Sequence, residues 1–273
     1  MDARQQTQEL FRGLRDSIVA RLEELDGGRF VRRAWERPGG GGGEMSELRG
    51  QLFEKGGCNF SAVWGDRYPS VDRPATVDDE DRALGIAPPA SEEVSGKPFF
   101  ATGVSLVLHP RSPWVPVVHM NVRYLEAGEA CWFGGGIDLT PFRPFADDTD
   151  HFHAALAAAA GDRYPRFKRW ADEYFFIPHR NSARGVGGIF FDYLRDGLGL
   201  ARSVGAAFLP AYVPIVERRR ALPWSEADRQ AQLRWRGRYV EFNLVYDRGT
   251  LFGLKTGGNV DAIFMSLPPL VAW

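Results

Sequence analysis

Histidine, asparagine and arginine alternate along one predicted strand, and these side chains can transfer protons and bind anions. His119, Asn121 and Arg123 are spaced two residues apart, and side chains with this spacing project from the same face of a β-strand. Ser105 and His109 alternate in the same way in the preceding predicted strand. If the two strands pair as a hairpin, all five side chains line one polar surface. A solvated face usually carries Thr, Lys or Glu, so His and Asn favour a functional site over that alternative.

Arginines beside predicted strand ends and turns indicate an anionic ligand. A guanidinium stays charged and binds a carboxylate through two parallel hydrogen bonds, so several convergent arginines suit a polycarboxylate. The alternative for each arginine is a surface ion pair with Asp or Glu. The candidates are Arg123, Arg180, Arg184, Arg238 and Arg248.

The five histidines give no metal motif by their spacing. His151 and His153 lie two residues apart in a predicted helix, so they point to different faces. No histidine pair has the spacing of a zinc protease motif. The residues alone therefore favour hydrogen-bonded structural histidines or proton carriers over metal ligands.

Composition and missing motifs exclude several functional classes. With 44% hydrophobic residues the 273-residue chain can bury a core, and its length suggests one large domain or two small ones. The net charge of −1 argues against broad capture of nucleic acid. The glycine clusters match neither GxGxxG nor a P-loop, so nucleotide binding has no support. No signal peptide or membrane span is expected. Together with two isolated cysteines, this predicts a cytoplasmic protein.

The elements that position these residues alternate between strands and helices. A helix is predicted over Leu10–Leu25, ended by Asp26-Gly27-Gly28, and the glycines 39–43 predict a hairpin or loop tip. The Pro- and Asp-rich stretch 66–97 predicts a long surface excursion that can cover a site. Further predicted strands are 102–109, 115–125, 131–139 (broken by glycines 134–136) and 187–193. The predicted helices are 147–160, 165–175, 200–219 and 225–236. A hairpin is predicted from 239–247 and 250–255. Without a regular βαβ series, these elements predict an α+β fold with a largely antiparallel sheet.

In chain order, several long blocks resemble the oxygen-dependent coproporphyrinogen III oxidase family. Their order and spacing hold across nearly the whole chain, which favours one domain over residues 1–273. Several blocks exceed eight residues and are far more specific than a short motif. The matching blocks are residues 53–61, 101–123, 132–141, 170–192, 237–258 and 266–269.

This resemblance implies a fold, a reaction and an assembly. The implied fold is a large flat antiparallel sheet flanked by helices on both faces, in a homodimer. The implied reaction is oxidation of coproporphyrinogen III by molecular oxygen to protoporphyrinogen IX, in which two propionates become vinyl groups and two carbon dioxide molecules leave. The implied reaction uses no organic cofactor.

The resemblance also assigns roles to individual positions. His119 matches the proton donor of the family. The positions that match substrate-binding residues are Ser105, Asn121, Val122, Arg123, Gly257, Gly258 and Asn259. A divalent cation such as manganese is implied for bacterial relatives, whereas other members work without a metal. Its matching ligands are His109, His119, His153 and His179, which places His153 rather than His151 on the inward helix face.

Two departures from the family pattern stand out. Relatives carry Arg where this chain has Asn259, so one carboxylate contact is expected to be lost or supplied by Arg248 or Lys255. Relatives also continue for a further C-terminal segment beyond Trp273. The absence of that segment is expected to affect dimer packing or closure of the site.

The chemistry of the reaction suggests further roles. An anion near the centre of the macrocycle can accept pyrrole N–H groups, and Asp247 is the candidate; the alternative is a turn aspartate before Arg248-Gly249. Arg123, Arg184 and Arg248 are expected to bind propionates. Two other functional classes stay open at this point: a histidine-ligated metal hydrolase or oxygenase, and a porphyrin carrier without catalysis. Nucleic-acid binding is a distant fourth.

Overall fold

The chain folds around one large antiparallel sheet. A computed structural model describes residues 2–68, 77–255 and 257–273. The strands are β1 (Val31–Glu36), β2 (Gly41–Leu48), β3 (Phe53–Gly65), β4 (Phe99–Pro110), β5 (Val117–Ala127), β6 (Ala130–Thr140), β7 (Phe176–Ile177), β8 (Ser182–Ala183) and β9 (Gly187–Leu194). Seven of them pair in the order β1-β2-β3-β4-β5-β6-β9, and β7 pairs with β8. Every neighbouring pair is antiparallel, as expected when hairpins connect successive strands.

Helices cover both faces of this sheet. They are α1 (Ala3–Asp26), α2 (Asp79–Ala83), α3 (Ser91–Val94), α4 (Ala146–Ala160), α5 (Tyr164–Tyr174), α6 (Leu198–Arg219), α7 (Glu226–Val245), α8 (Arg248–Lys255) and α9 (Val260–Ile263). On one face α1 packs against β3 and β4, α6 against β5 and β6, and α4 against β9. On the other face lie α7, α8, α9 and the 3₁₀ turn Phe264–Ser266. The predicted α+β class with a flat, helix-flanked sheet is confirmed.

The main core lies between the sheet and helices α1, α4 and α6. Alternate strand residues such as Leu106, Met120, Val122 and Ile137 are fully buried there. Helix α1 begins at the Asp2 cap, whose side chain accepts from the Gln5 backbone N–H. It ends where predicted, at Gly27, whose φ of +82° is favourable for glycine.

Helix α6 is long and apolar enough to span a bilayer by length and composition alone. In this structure it packs into the core through residues such as Phe208, Tyr212 and Ile215, which are fully buried. This packing is typical of a core helix in a folded domain.

The predicted hairpin over 239–255 is wrong. Helix α7 continues through Val245, and α8 begins at Arg248. Tyr239, Val240, Phe242 and Asn243 are buried together, at the spacing of one helix face. Their aromatic and β-branched types favour strands locally, but burial of this face against the sheet outweighs that preference.

Two other predictions need adjustment. Glycines 134–136 do not break β6, which is continuous from Ala130 to Thr140, although its pairing with β9 shifts by one residue near Phe133. In the stretch 66–97, α2 and α3 form short helices. The part of the predicted surface excursion from 69 to 76 lies outside the described residues.

Candidate active site

Four of the five side chains predicted to line one polar surface do so on the sheet face opposite the main core, whereas the fifth, His109, lies on this face but is fully buried. In the β4–β5 pairing, Ser105 is opposite Asn121 and Val107 is opposite His119. Gly103 is opposite Arg123 in the same ladder. Val122 points the other way and is fully buried in the core, so only its backbone borders this surface.

The neighbouring strands extend this surface into a broad floor. Asn59 of β3 pairs with Ser105, while Gly136 and Asp138 of β6 pair with Asn121 and His119. Several positions on this face are glycines, so the floor is low and nearly flat between its polar side chains. We call this surface the floor; its members are Gly57, Asn59, Gly103, Ser105, His119, Asn121, Arg123, Gly134, Gly136 and Asp138.

His119 is held by a buried carboxylate. Its Nδ1 lies 2.8 Å from Oδ1 of Asp138, and the His119 side chain is 22% exposed. Nε2 forms no hydrogen bond with any group in the described residues, so it is the ring nitrogen available to a ligand. Burial opposes ionisation of Asp138, but Arg184 and His119 outweigh it, so the pKa of Asp138 lies below its ordinary value. An ionised Asp138 fixes the proton of His119 on Nδ1.

Arg184 is buried at the side of the floor, between Asp138 and helix α7, and is not exposed on the floor. Its Nη2 donates to Oδ2 of Asp138 at 2.6 Å, and its side chain is 2% exposed. The guanidinium is enclosed by the rings of Phe175, Tyr239 and Phe242. This placement differs from the expectation that Arg184 binds a propionate, because a buried guanidinium already paired with Asp138 does not reach a ligand on the floor.

Arg123 stands at one end of the floor in a network of its own. Its Nη2 donates to Asp192 at 2.8 Å and its Nη1 donates to Asn121 at 2.8 Å. Gly134 lies directly beside this ion pair: a Cβ there would stand 2.5 Å from Oδ1 of Asp192 and 2.8 Å from Nη2 of Arg123. The glycine therefore makes room for the pair.

Asp247 and Arg248 overhang the floor from the start of α8. Oδ2 of Asp247 accepts from the backbone N–H and the hydroxyl of Thr250, at 2.7 and 2.8 Å. Oδ1 accepts from the Tyr174 hydroxyl at 2.9 Å. Asp247 thus caps α8, whereas the alternative considered for it was a turn aspartate, and each oxygen keeps a further lone pair. The Arg248 guanidinium stacks 5.0 Å from the centre of the Tyr174 ring.

The segment that carries Gly257, Gly258 and Asn259 is anchored to the floor by residues that the sequence did not identify. Lys55 donates to the carbonyl oxygens of Phe264 and Leu267, and Asn59 donates to that of Ala262 at 3.0 Å. The Asn259 side chain caps α9 by accepting from the Ala262 N–H. Asn259 is uncharged and its side-chain oxygen is engaged in this cap. It therefore does not supply the carboxylate contact that an arginine at this position would make. The alternation Lys55-Gly57-Asn59-Ser61 in β3 is the signal that would have located both anchors.

The four histidines expected to bind a metal do not converge. His109 is fully buried and donates from Nε2 to the Ser266 carbonyl, and burial lowers its pKa to about 3. Both ring nitrogens of His153 are bonded, to Val186 and Tyr164. Both nitrogens of His179 are bonded as well, to Tyr246 and Glu241.

Across the described ranges, no three His, Cys, Asp or Glu side chains form a group suited to a metal. The histidines of one chain therefore do not fit a shared ion in this geometry. The metal site stays a prediction, and no step below depends on it.

Comparison with known proteins gives a consistent match. Residues 6–273 match the family model described as coproporphyrinogen III oxidase. The chain is 46% identical to the oxygen-dependent coproporphyrinogen-III oxidase of Synechococcus sp. (strain CC9902), over 100% of this chain and 81% of that protein. It is also 46% identical to the enzyme of the same name from Prochlorococcus marinus (strain MIT 9313), over 99% of this chain and 84% of that protein.

Proposed function

This chain belongs to the coproporphyrinogen III oxidase family, and we propose that its floor carries the oxygen-dependent conversion of two substrate propionates to vinyl groups. The resemblance seen in the sequence is confirmed, as is the assignment to the oxidoreductases. The observation that supports the role of the floor is His119, with one ring nitrogen fixed by Asp138 and the other open above a flat surface.

The balance of the reaction defines what the protein supplies. Each propionate loses its carboxylate as carbon dioxide and a hydrogen from the β-carbon, and one oxygen molecule takes up two electrons and two protons to become hydrogen peroxide. An electron-rich pyrrole, once deprotonated, can reduce oxygen itself through a ring hydroperoxide that then accepts the β-hydrogen. The tasks left to the side chains are orientation, charge stabilisation and proton transfer.

Named residues of the site suit these tasks. Nε2 of His119 exchanges the proton with the substrate, because Nδ1 is engaged by Asp138. The Asp247 carboxylate accepts pyrrole N–H groups through its remaining lone pairs. Arg123 and Arg248 bind propionate carboxylates at the rim. Arg184 acts through Asp138 as a positioning residue, which revises the role expected from the sequence.

Chromatography of the products, after oxidation to porphyrins, tests this assignment. Wild-type protein and His119→Gln are incubated in air with coproporphyrinogen III, each with and without a chelator. We expect the wild type to form protoporphyrin and the variant to be slower by about 10²-fold or more. Equal rates for the two proteins would contradict the role of His119. Loss of wild-type activity on chelation, restored by manganese, would return the histidines to a metal role.

We also propose, from the resemblance, that the protein works as a homodimer in the cytoplasm. Exposed apolar side chains on neighbouring helices support an interface between two copies: Leu244, Val245, Leu254 and Val260. Sedimentation at several protein concentrations tests the dimer, which predicts a mass of twice 30.5 kDa. A monomer at micromolar concentration would contradict it.

A further inference from the structure

Two tyrosines pack at the Arg123 end of the floor. The rings of Tyr68 and Tyr193 lie 6.0 and 5.8 Å from the ring of Trp132. Trp132 pairs with Leu125, two residues from Arg123, and therefore lies on the floor side of the sheet. The aromatic end of the floor thus directly adjoins its charged end.

A β-bulge turns Tyr193 toward this face. Gly135 pairs with Phe191 but Phe133 pairs with Leu194, so β9 carries one extra residue between the two pairs. In a regular strand Asp192 and Tyr193 would point to opposite faces. Tyr193 instead has a φ of +54°, a conformation that is strained for a bulky side chain. The outcome is that Asp192 reaches Arg123 while the adjacent Tyr193 packs against Trp132.

Both phenol hydroxyls are available to a ligand. The Tyr68 side chain is only 6% exposed and that of Tyr193 is partly buried, and no hydrogen bond joins either hydroxyl to another group in the described part of the chain. Neither hydroxyl oxygen is among the buried polar atoms that lack a partner in the described residues, so both are accessible and can donate a hydrogen bond to a ligand near Trp132. Burial, with a further effect of Asp192, raises the pKa of Tyr193 to about 12. The hydroxyl therefore stays protonated at neutral pH and can donate a hydrogen bond.

The charges nearby favour an anion. Arg123 and Arg248 both act electrostatically on the Tyr193 hydroxyl. Asp192 neutralises Arg123, whereas Arg248 forms no ion pair with any described residue. The group of two arginines and one aspartate thus keeps one net positive charge, with the two hydroxyls as additional donors. A carboxylate accepts from both kinds of donor.

We propose that the hydroxyls of Tyr68 and Tyr193, with the guanidinium groups of Arg123 and Arg248, form a pocket for one propionate carboxylate of the substrate. This inference rests on the proposed function, because it names the donors for one side chain of the same substrate. It assigns the strained bulge at Tyr193 a purpose: the bulge places a neutral donor beside the Arg123–Asp192 pair. The methylene groups of that propionate then lie against the aromatic end of the floor.

Phenylalanine variants test the pocket, since they keep the rings and remove only the hydroxyls. Tyr193→Phe and Tyr68→Phe are compared with Tyr164→Phe, whose hydroxyl bonds to His153 on the α4–α5 side. The measured quantities are KM and kcat for coproporphyrinogen III and, by fluorescence, Kd for the unreactive porphyrin coproporphyrin III. Because a donor to a charged group is lost, we expect KM and Kd to rise about 10-fold in each pocket variant, with kcat changed less than about 2-fold.

Other outcomes would overturn the pocket. KM and Kd within 2-fold of wild type in Tyr193→Phe would do so, and so would an equal rise in Tyr164→Phe. The Kd measurement does not require turnover. If wild-type protein binds coproporphyrin III but makes no product, the proposed function fails, while the comparison of Kd values still decides for or against the pocket.

Discussion

Nδ1 of His119 lies 2.8 Å from Oδ1 of Asp138, and the other oxygen of that carboxylate lies 2.6 Å from Nη2 of Arg184. The chain of contacts runs from the partly exposed His119 ring on the floor to the Arg184 cation, which is buried against helix α7. It fixes both the orientation of the imidazole and the ring nitrogen that carries the proton. The proton-transfer role of His119 therefore depends on two buried residues, Asp138 and Arg184.

Replacing Asp138 with Asn tests this dependence. The amide has one acceptor oxygen instead of two, so it cannot serve both His119 and Arg184 as the carboxylate does. We expect kcat to fall about 10²-fold or more, since the imidazole loses its fixed tautomer. Steady-state kinetics check this, with Asp172→Asn as control because Asp172 pairs with Lys168 at the exposed surface of α5. A kcat within 2-fold of wild type would contradict the positioning role.

Replacing Arg184 with Met tests the electrostatics of the buried pair between Asp138 and Arg184. The variant leaves Asp138 buried without its cation, and we expect a loss of about 3–5 kcal/mol in the free energy of unfolding at pH 7. Urea unfolding measures it, with Arg202→Met as control because Arg202 is exposed on α6.

The pH dependence of this loss has a definite sign. In the wild type the pKa of Asp138 is lowered, so its contribution is present above the pKa of the unfolded chain and is lost as the pH falls through the folded value. In Arg184→Met burial, the largest effect, is opposed only by His119, so this pKa rises. The difference in the free energy of unfolding between Arg184→Met and the wild type should therefore narrow as the pH falls from 7 toward 4. A constant difference would show that lost packing, not charge, is the cause.

A methyl group at Gly134 tests the room made for the Arg123–Asp192 pair. The Cβ of Gly134→Ala would stand 2.5 Å from the Asp192 carboxylate, so the pair has to shift. We expect KM to rise about 10-fold, in line with the loss of one charge-assisted contact. Gly199→Ala is the control, because nothing lies within 4 Å of a Cβ there. An unchanged KM in Gly134→Ala would mean that substrate binding does not depend on the exact position of the Arg123 guanidinium.

Replacing Asp247 with Asn separates its two roles. Asn is as good a helix cap as Asp, so the free energy of unfolding should change by less than about 1 kcal/mol. If the carboxylate also receives pyrrole N–H groups, kcat should fall by about 10²-fold or more. Thr250→Ala, which removes a partner of Asp247 but keeps its charge, should stay within a few-fold of wild-type kcat. Near-normal turnover in Asp247→Asn would leave only the capping role.

The floor could be predicted because strand alternation and a short turn are local properties of the sequence. The two-residue spacing of His119, Asn121 and Arg123 predicted their shared face, and the hairpin considered for the two strands is the pairing that brings Ser105 opposite Asn121. The buried partner Asp138 was not predicted, because its register depends on the pairing of β5 with β6. Arg184 was predicted to bind a propionate, and its pairing with Asp138 was not predicted because the two residues lie 46 positions apart in the chain.

The C-terminal part was harder for a different reason. Residues 239–255 contain aromatic and β-branched side chains that favour strands locally, whereas the buried face that makes them helical becomes visible only with the sheet in place. The capping pattern from Asp247 to Thr250 was a local signal that predicts a helix start. The bulge that redirects Tyr193 leaves no comparable signal, because it depends on pairing across two strands.

The most direct test of the central claim counts the carbon dioxide that the purified protein releases from coproporphyrinogen III labelled in its propionate carboxyl groups, in air and under argon. The proposed function predicts two molecules of carbon dioxide for each protoporphyrinogen IX formed in air, and none under argon. Tight binding of the porphyrinogen with no carbon dioxide released in air would contradict it and identify the protein as a carrier.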